Sequence, residues 1–143
     1  MTSFAAQVKQ FTTDAKQDTG LIFATAIQKL ETQMKLTVNN GGMTPIDTGN
    51  LRDSILTTTV AMPQVDTEEK EYTPVAFSIG PEDLGRPVYM GVQAAYGPRI
   101  EFGFVGTDSL GRTYNQTGHY FVTGSGAKWQ QFVTEAESQF GTS

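Results

Sequence analysis

The chain contains no cysteine. That excludes disulfides, thiolate nucleophiles and every cysteine-based zinc or iron–sulfur site, and it leaves the redox compartment open. Histidine is almost as scarce, with His119 alone. One imidazole does not make a histidine-based metal centre, and any Ser–His–Asp arrangement would have to use this residue. Set between Gly118 and Tyr120 in a polar stretch, it reads as a surface or interface histidine. There is no basic run: 10 Lys and Arg stand against 15 Asp and Glu, a net charge of -5. That balance argues against a surface whose affinity rests on neutralising phosphates. No window approaches the roughly 18 apolar residues of a membrane span, and MTSFAAQVKQF lacks a charged leader followed by an apolar stretch. The expectation is folding in the cytoplasm, where the Asn115-Gln116-Thr117 sequon is a coincidence.

What is present fits one domain spanning residues 1–143. A chain of this size buries about two-thirds of the surface its unfolded form exposes, so its core needs no metal or disulfide. From Phe4 to Met34 apolar residues recur at helical spacing without a proline. At 100° per residue, Phe4, Val8, Phe11, Ala15, Ile22 and Ala26 share one stripe, and Phe23, Ile27, Leu30 and Met34 share another. The stripe drifts across Gly20. Either one long helix meets different partners along its length, or it kinks or breaks near Asp18-Thr19-Gly20.

VNNGGMTP, residues 38–45, ends that helix, because Asn and Gly tolerate a left-handed cap and Pro45 forbids continuation. Leu51 and Ile55 lie four apart on a short helical turn, and Ile55 to Met62 reads as a strand. Pro63 to Thr73, with glutamates at 68, 69 and 71, reads as a solvated loop. Val75 to Ile79 and Val88 to Gln93 are short strand candidates. Ile100, Phe102 and Phe104 alternate with polar or glycine positions, a strand pattern. Phe104 to Gly118 is a polar loop of about 15 residues, a length that in a compact domain points to function or disorder. Trp129, Phe132, Val133, Ala136 and Phe140 share one arc of a closing helix, which Ser125 caps and Trp129 anchors. The predicted layout is a helix over 3–38, strands and loops over 55–123 and a helix over 126–140. The fold class is α+β, a small mostly antiparallel sheet packed against a long N-terminal helix and a C-terminal helix, with a long polar loop.

Asp-Thr-Gly, the tripeptide of aspartic proteases, occurs at Asp18 and again at Asp47. In those enzymes two such loops, each at the end of an apolar strand, bring two carboxylates together to share a proton. Here the first triplet sits in a helical pattern, and the 29 positions from 18 to 47 cannot hold two lobes. A homodimeric peptidase using Asp47 stays as the alternative reading, beside a generic cytoplasmic protein-binding domain. The mechanical account is that Asp47 or Thr48 caps a turn starting at Gly49, while Leu51 and Ile55 plug it into the core and Arg52 and Asp53 face outward. Gly124-Ser125-Gly126-Ala127-Lys128 lacks the GxxxxGK[ST] pattern of a phosphate loop. No catalytic residue, cofactor site or metal site is expected.

Pro45-Ile46-Asp47-Thr48-Gly49-Asn50-Leu51-Arg52-Asp53-Ser54-Ile55 resembles the opening motif of the tail-completion and head–tail joining (neck) proteins of tailed bacteriophages, the group typified by HK97-type phages. A second stretch fits as well: Ala95-Tyr96, then Ile100-Glu101-Phe102-Gly103, is similar to that family's Ala-x-Tyr followed by aliphatic-Glu-aromatic-Gly. The motif residues carried over are Asp47, Thr48, Gly49, Asn50, Leu51, Arg52, Tyr96, Glu101, Phe102 and Gly103. The chain departs from the pattern before its last helix, where GTDSLGRTYNQTG and Tyr120-Phe121-Val122 replace a short turn and a Pro-aromatic pair. The resemblance implies a non-enzymatic virion protein, assembled in the host cytoplasm. It would form a ring with copies of itself between the head connector or adaptor proteins and the tail terminator or tail tube proteins. DNA would pass the channel without specific binding, and no membrane would be involved. Within the loop, Asp108, Leu110, Arg112, Tyr114 and Asn115 are the expected assembly contacts, ordering when the ring forms.

Overall fold

Ser3 starts the first helix, its Oγ accepting the amide of Ala6 at 3.1 Å. The computed structural model describes residues 3–45, 49–66, 68 and 71–140. Helix α1 then runs unbroken over Phe4–Lys35, 32 residues, or about 48 Å at 1.5 Å per residue. It stops three residues short of the predicted end because Leu36 turns extended. Thr37 pairs instead with Thr44. The buried Thr44 hydroxyl donates to the carbonyl of Met34, satisfying an acceptor that the helix end would otherwise leave orphaned.

A one-turn helix α2 (Asn50–Asp53) leads into β1 (Ile55–Thr58), which pairs antiparallel with β2 (Tyr89–Val92) in the register Ile55 to Val92. Helix α3 (Gly97–Phe102) runs directly into β3 (Gly103–Thr107), which pairs antiparallel with β4 (Thr113–Thr117). Helices α4 (Phe121–Gly126) and α5 (Trp129–Phe140) close the chain. The architecture is α+β, and its strands form two separate two-stranded ribbons rather than one sheet.

Two apolar clusters hold it together. Met34, Leu51, Ile55, Ala94 and Phe121 join the end of α1 to α2, β1 and α4. Ala26, Phe132 and Ala136, flanked by Ile22, Leu30 and Val133, join α1 to α5. Glu31 is buried between them, accepting from the Thr57 hydroxyl and paired with Lys35 at 2.8 Å. A buried carboxylate supplied with a hydroxyl and an ammonium is the satisfied kind.

Gly20 does not break α1. It is buried, and a Cβ built there would stand 2.8 Å from the carbonyl oxygen of Pro81. Pro81 opens a 3-10 turn over Pro81–Asp83, which Asp83 fixes by accepting the Gly80 amide at 2.9 Å. The glycine thus makes room for a loop against the helix. The first Asp-Thr-Gly is simply helical, with the Thr19 hydroxyl donating to the carbonyl of Ala15 at 2.8 Å.

Several sequence expectations are corrected. Val75 to Ile79 forms no strand; of the five only Ile79 is buried, and a short β-prone run becomes a strand only where a partner strand is offered. The alternation at Ile100, Phe102 and Phe104 belongs to α3 up to Phe102, because Gly97-Pro98 places a proline in the first helical turn. The segment after Pro63 is tied down by Tyr72, whose amide donates to Asn50 Oδ1 at 2.7 Å and whose hydroxyl lies 3.0 Å from both Asp66 Oδ2 and the carbonyl of Gln93. Ser125 caps no helix: its hydroxyl donates back to Phe121 inside α4. Trp129, at the first position of α5, is 37 % exposed, and the anchors of that helix are Phe132 and Ala136.

Gly20→Ala tests the close approach. In a free helix this change stabilises by about 1 kcal/mol. Here overpacking against Pro81 should reverse the sign and lower stability by about 1–3 kcal/mol. Thermal unfolding of the two proteins reads the sign directly.

Candidate assembly interface

The residues of the first motif shape backbone and core. Asp47 and Thr48 lie outside the described residues. Gly49 has φ +80°, the left-handed region, and precedes α2 with its carbonyl accepting the Asp53 amide at 3.0 Å. Asn50 receives Tyr72, Leu51 enters the core, and Arg52 is exposed with its Nε 3.3 Å from Asp53 Oδ1.

The second motif is a junction. Tyr96 precedes α3 at the surface, while Glu101 is only 4 % exposed. Its carboxylate accepts from the amides of Val122 at 2.8 Å and Thr123 at 3.0 Å, and from the Thr123 hydroxyl at 2.6 Å. These are first-turn donors of α4, which have no partner inside a helix. The last carbonyls of α3 take up the chain just before: Ile100 accepts from the His119 amide at 2.8 Å and Glu101 from that of Tyr120 at 3.1 Å. Tyr120 itself is left-handed, at φ 52°. Gly103 follows at φ +82°, and a Cβ there would lie 2.3 Å from the carbonyl oxygen of Gln116. Phe102, between the two constrained residues, is 66 % exposed.

The expected long loop is a hairpin. Ser109-Leu110-Gly111 connects β3 to β4, with Gly111 N–H bonded to the carbonyl of Asp108 and Asp108 N–H to that of Arg112. Gly111 sits at φ +78°. This is the three-residue hairpin loop whose third position needs a left-handed residue. Asp108 organises it: its carboxylate accepts the amides of Leu110 at 3.0 Å and Arg112 at 2.9 Å, the Arg112 Nε at 2.6 Å, and the Tyr114 hydroxyl at 3.2 Å. Arg99 lies over the Phe104 ring, which packs against Tyr114. So Asp108, Arg112 and Tyr114 are brought together and satisfy one another inside the hairpin. Among the residues that the hairpin turns to solvent are Val105, Leu110, Asn115 and, despite its bond to Asp108, Arg112.

Sequence reasoning missed two further surfaces. One is the stripe on the first half of α1, where Phe4, Val8 and Phe11 are exposed. The other is an apolar groove between β2, α3 and α4. Periodicity marked the stripe, but nothing in it says which part of an amphipathic face stays uncovered. Among the described residues no group of His, Asp and Glu is placed to hold a metal ion, and no helix is long and apolar enough to cross a membrane. No known family, curated protein or solved structure matches the chain.

Two predictions follow from the junction and the hairpin. Glu101→Ala, which strips three donors of their acceptor, should cost about 2–3 kcal/mol. Gly103→Ala should cost at least as much, from strain and collision together. Denaturant titration of both variants checks these values.

Asp108 supplies a pH prediction. Its partial desolvation works against ionisation, but the bonds from Arg112, Leu110 and Tyr114 outweigh it and hold the carboxyl below the usual Asp range. A group whose pKa is lower folded than unfolded contributes stability that is present above the unfolded value and lost as pH falls through the folded one. The hairpin should therefore be intact above about pH 4 and loosen below it. In Asp108→Asn that acid step should vanish from the Leu110 and Arg112 amide signals in NMR.

Proposed function

We propose that this chain is a non-enzymatic structural protein of the ring-shaped head–tail connection of a tailed phage, joining a head connector to the tail. The observation that carries the reading is the joint placement of the two motif stretches. Leu51 and Ile55 from the first pack in one core with Ile100 from the second and with Ala94 just before it, and Phe121 seals it. In each stretch the distinctive polar or glycine residue has a backbone-shaping role, Gly49 and Asn50 before β1, Glu101 and Gly103 at the root of the hairpin. Residues used this way specify a scaffold, and they leave its contacts to the surface.

The surface agrees with such a role. Large apolar side chains stand exposed on the α1 extension, on Phe102 and on the hairpin, and contiguous exposed apolar area marks interaction sites. The net charge of -5 suits a channel lining that passes DNA without gripping it. In this reading the protein acts in the virion, and its partners are its own copies, the connector or adaptor proteins and the tail terminator or tail tube proteins.

Mass photometry of the purified protein, alone and with connector and tail proteins, tests the proposal. The expected result is a discrete ring or a stoichiometric complex. A protein that stays monomeric and binds neither side would refute it.

A further inference from the structure

One chain carries a ridge and a groove that it cannot bring together. On α1, Phe4 and Phe11 are 80 % and 74 % exposed. With Val8 and Ala15 they fall within about 60° of one another around the helix. Past Gly20 the same stripe is covered, Ile22 and Ala26 packing with Phe132 and Ala136 of α5. The groove has a volume of about 210 Å³ and is lined by Met62, Val65, Met90, Val92, Phe102 and Val122 among others. Met90, Val92 and Val122 also pack against the cluster that holds Met34. Phe11 and Met34 are 23 residues apart on one unbroken helix, about 35 Å by helical rise. The ridge is thus held at the opposite end of the molecule from its own groove.

We propose that the ridge of one copy seats in the groove of a second copy, with Phe4 and Phe11 entering it. The occupant is another copy of this chain for three reasons. Both surfaces are apolar, and both are present once on every chain. The ridge has unlike flanks, Lys9 and Lys16 on one side and Asp14 and Asp18 on the other by helical angle. Glu68 is exposed three positions after Val65 at the edge of the groove, within about 10 Å by chain reach, so the lysine flank meets negative charge beside it. The area also suits a contact repeated between copies: two phenylalanines bury about 150–250 Å² each, below the roughly 800 Å² per side of a standard interface, a deficit that repetition around a closed ring offsets. Because the two surfaces differ, the contact is heterologous and repeats from copy to copy, closing into a ring where the rotation allows. This deepens the ring reading above and rests on it for closure alone.

The absence of cysteine makes a clean test. Thr12→Cys places a thiol beside the ridge and Gln64→Cys one beside the groove, both at exposed positions. The two variants are mixed and treated with a short bismaleimide. The expected product is a linked dimer in the mixture and not in either variant alone. Adding Phe11→Asp to the Thr12→Cys chain should cut the yield about tenfold, with an unchanged far-UV CD spectrum because Phe11 lies outside the core. Linkage mainly within Thr12→Cys alone, which reports helix against helix, overturns the proposal. So does a mixed yield that Phe11→Asp leaves unchanged, or no linkage at all. Rings seen by mass photometry without this linkage sink the contact and leave the ring reading standing; monomers at every concentration sink both.

Discussion

The carboxylate of Glu101 is the tie on which the second half of the chain depends. Burying an ionised group is costly unless its lone pairs are met, and here three donors meet them, two amides and a hydroxyl from the first turn of α4. Helix α4 is only six residues long, too short to form unaided, since nucleation fixes several residues for the first hydrogen bond. Held by Glu101, it sets Phe121 into the core and aims the chain toward α5, which covers the middle of α1. The residues immediately after Glu101 begin the hairpin. Together with the backbone bonds from His119 and Tyr120 to the last carbonyls of α3, this side chain sets the relative placement of α3, the hairpin root and α4, and through α4 that of the closing helix.

How much of this was legible in the sequence depends on whether the deciding contact is local. The long first helix, though not its end at Lys35, the strand beginning at Ile55 and the buried face of Phe132 and Ala136 all follow from periodicity, which acts within a turn or two. The hairpin was legible too and was misread. Asp108-Ser109-Leu110-Gly111-Arg112 carries an acceptor side chain at the first position of a turn and a glycine where a left-handed residue is needed, but its flanking polar residues look like loop. They form strands because the ribbon is solvated on most of its surface. Glu101 stands out in the second motif, but its role was not legible. Its partners lie 21 and 22 positions away, and nothing near it in sequence distinguishes a buried cap from a surface glutamate. The role of Gly20 was hidden for the same reason, because Pro81 is remote.

The uncovered half of α1 is the feature that the monomer does not explain. Phe4 to Gln17, about 21 Å of helix, is exposed among the described residues, supported by its own ladder, the Ser3 cap and local bonds such as Gln10 to Asp14 at 2.9 Å. A stretch of that length is marginal in water, and its apolar stripe gains nothing from burial until something else covers it. A scaffold fixed by internal ties such as Glu101 and Asp108, with apolar area left exposed, suits the assembling subunit proposed above: rigidity where contacts must register, and surface that stays unsatisfied alone.

Hydrogen–deuterium exchange across a concentration series tests that account most directly. Amides of residues 4–19 should exchange rapidly in the dilute monomer, while those of residues 24–34 are protected at every concentration. In the assembled form the first segment should become protected by tenfold or more. Protection of residues 4–19 that is the same in the dilute monomer and the assembly would contradict the account.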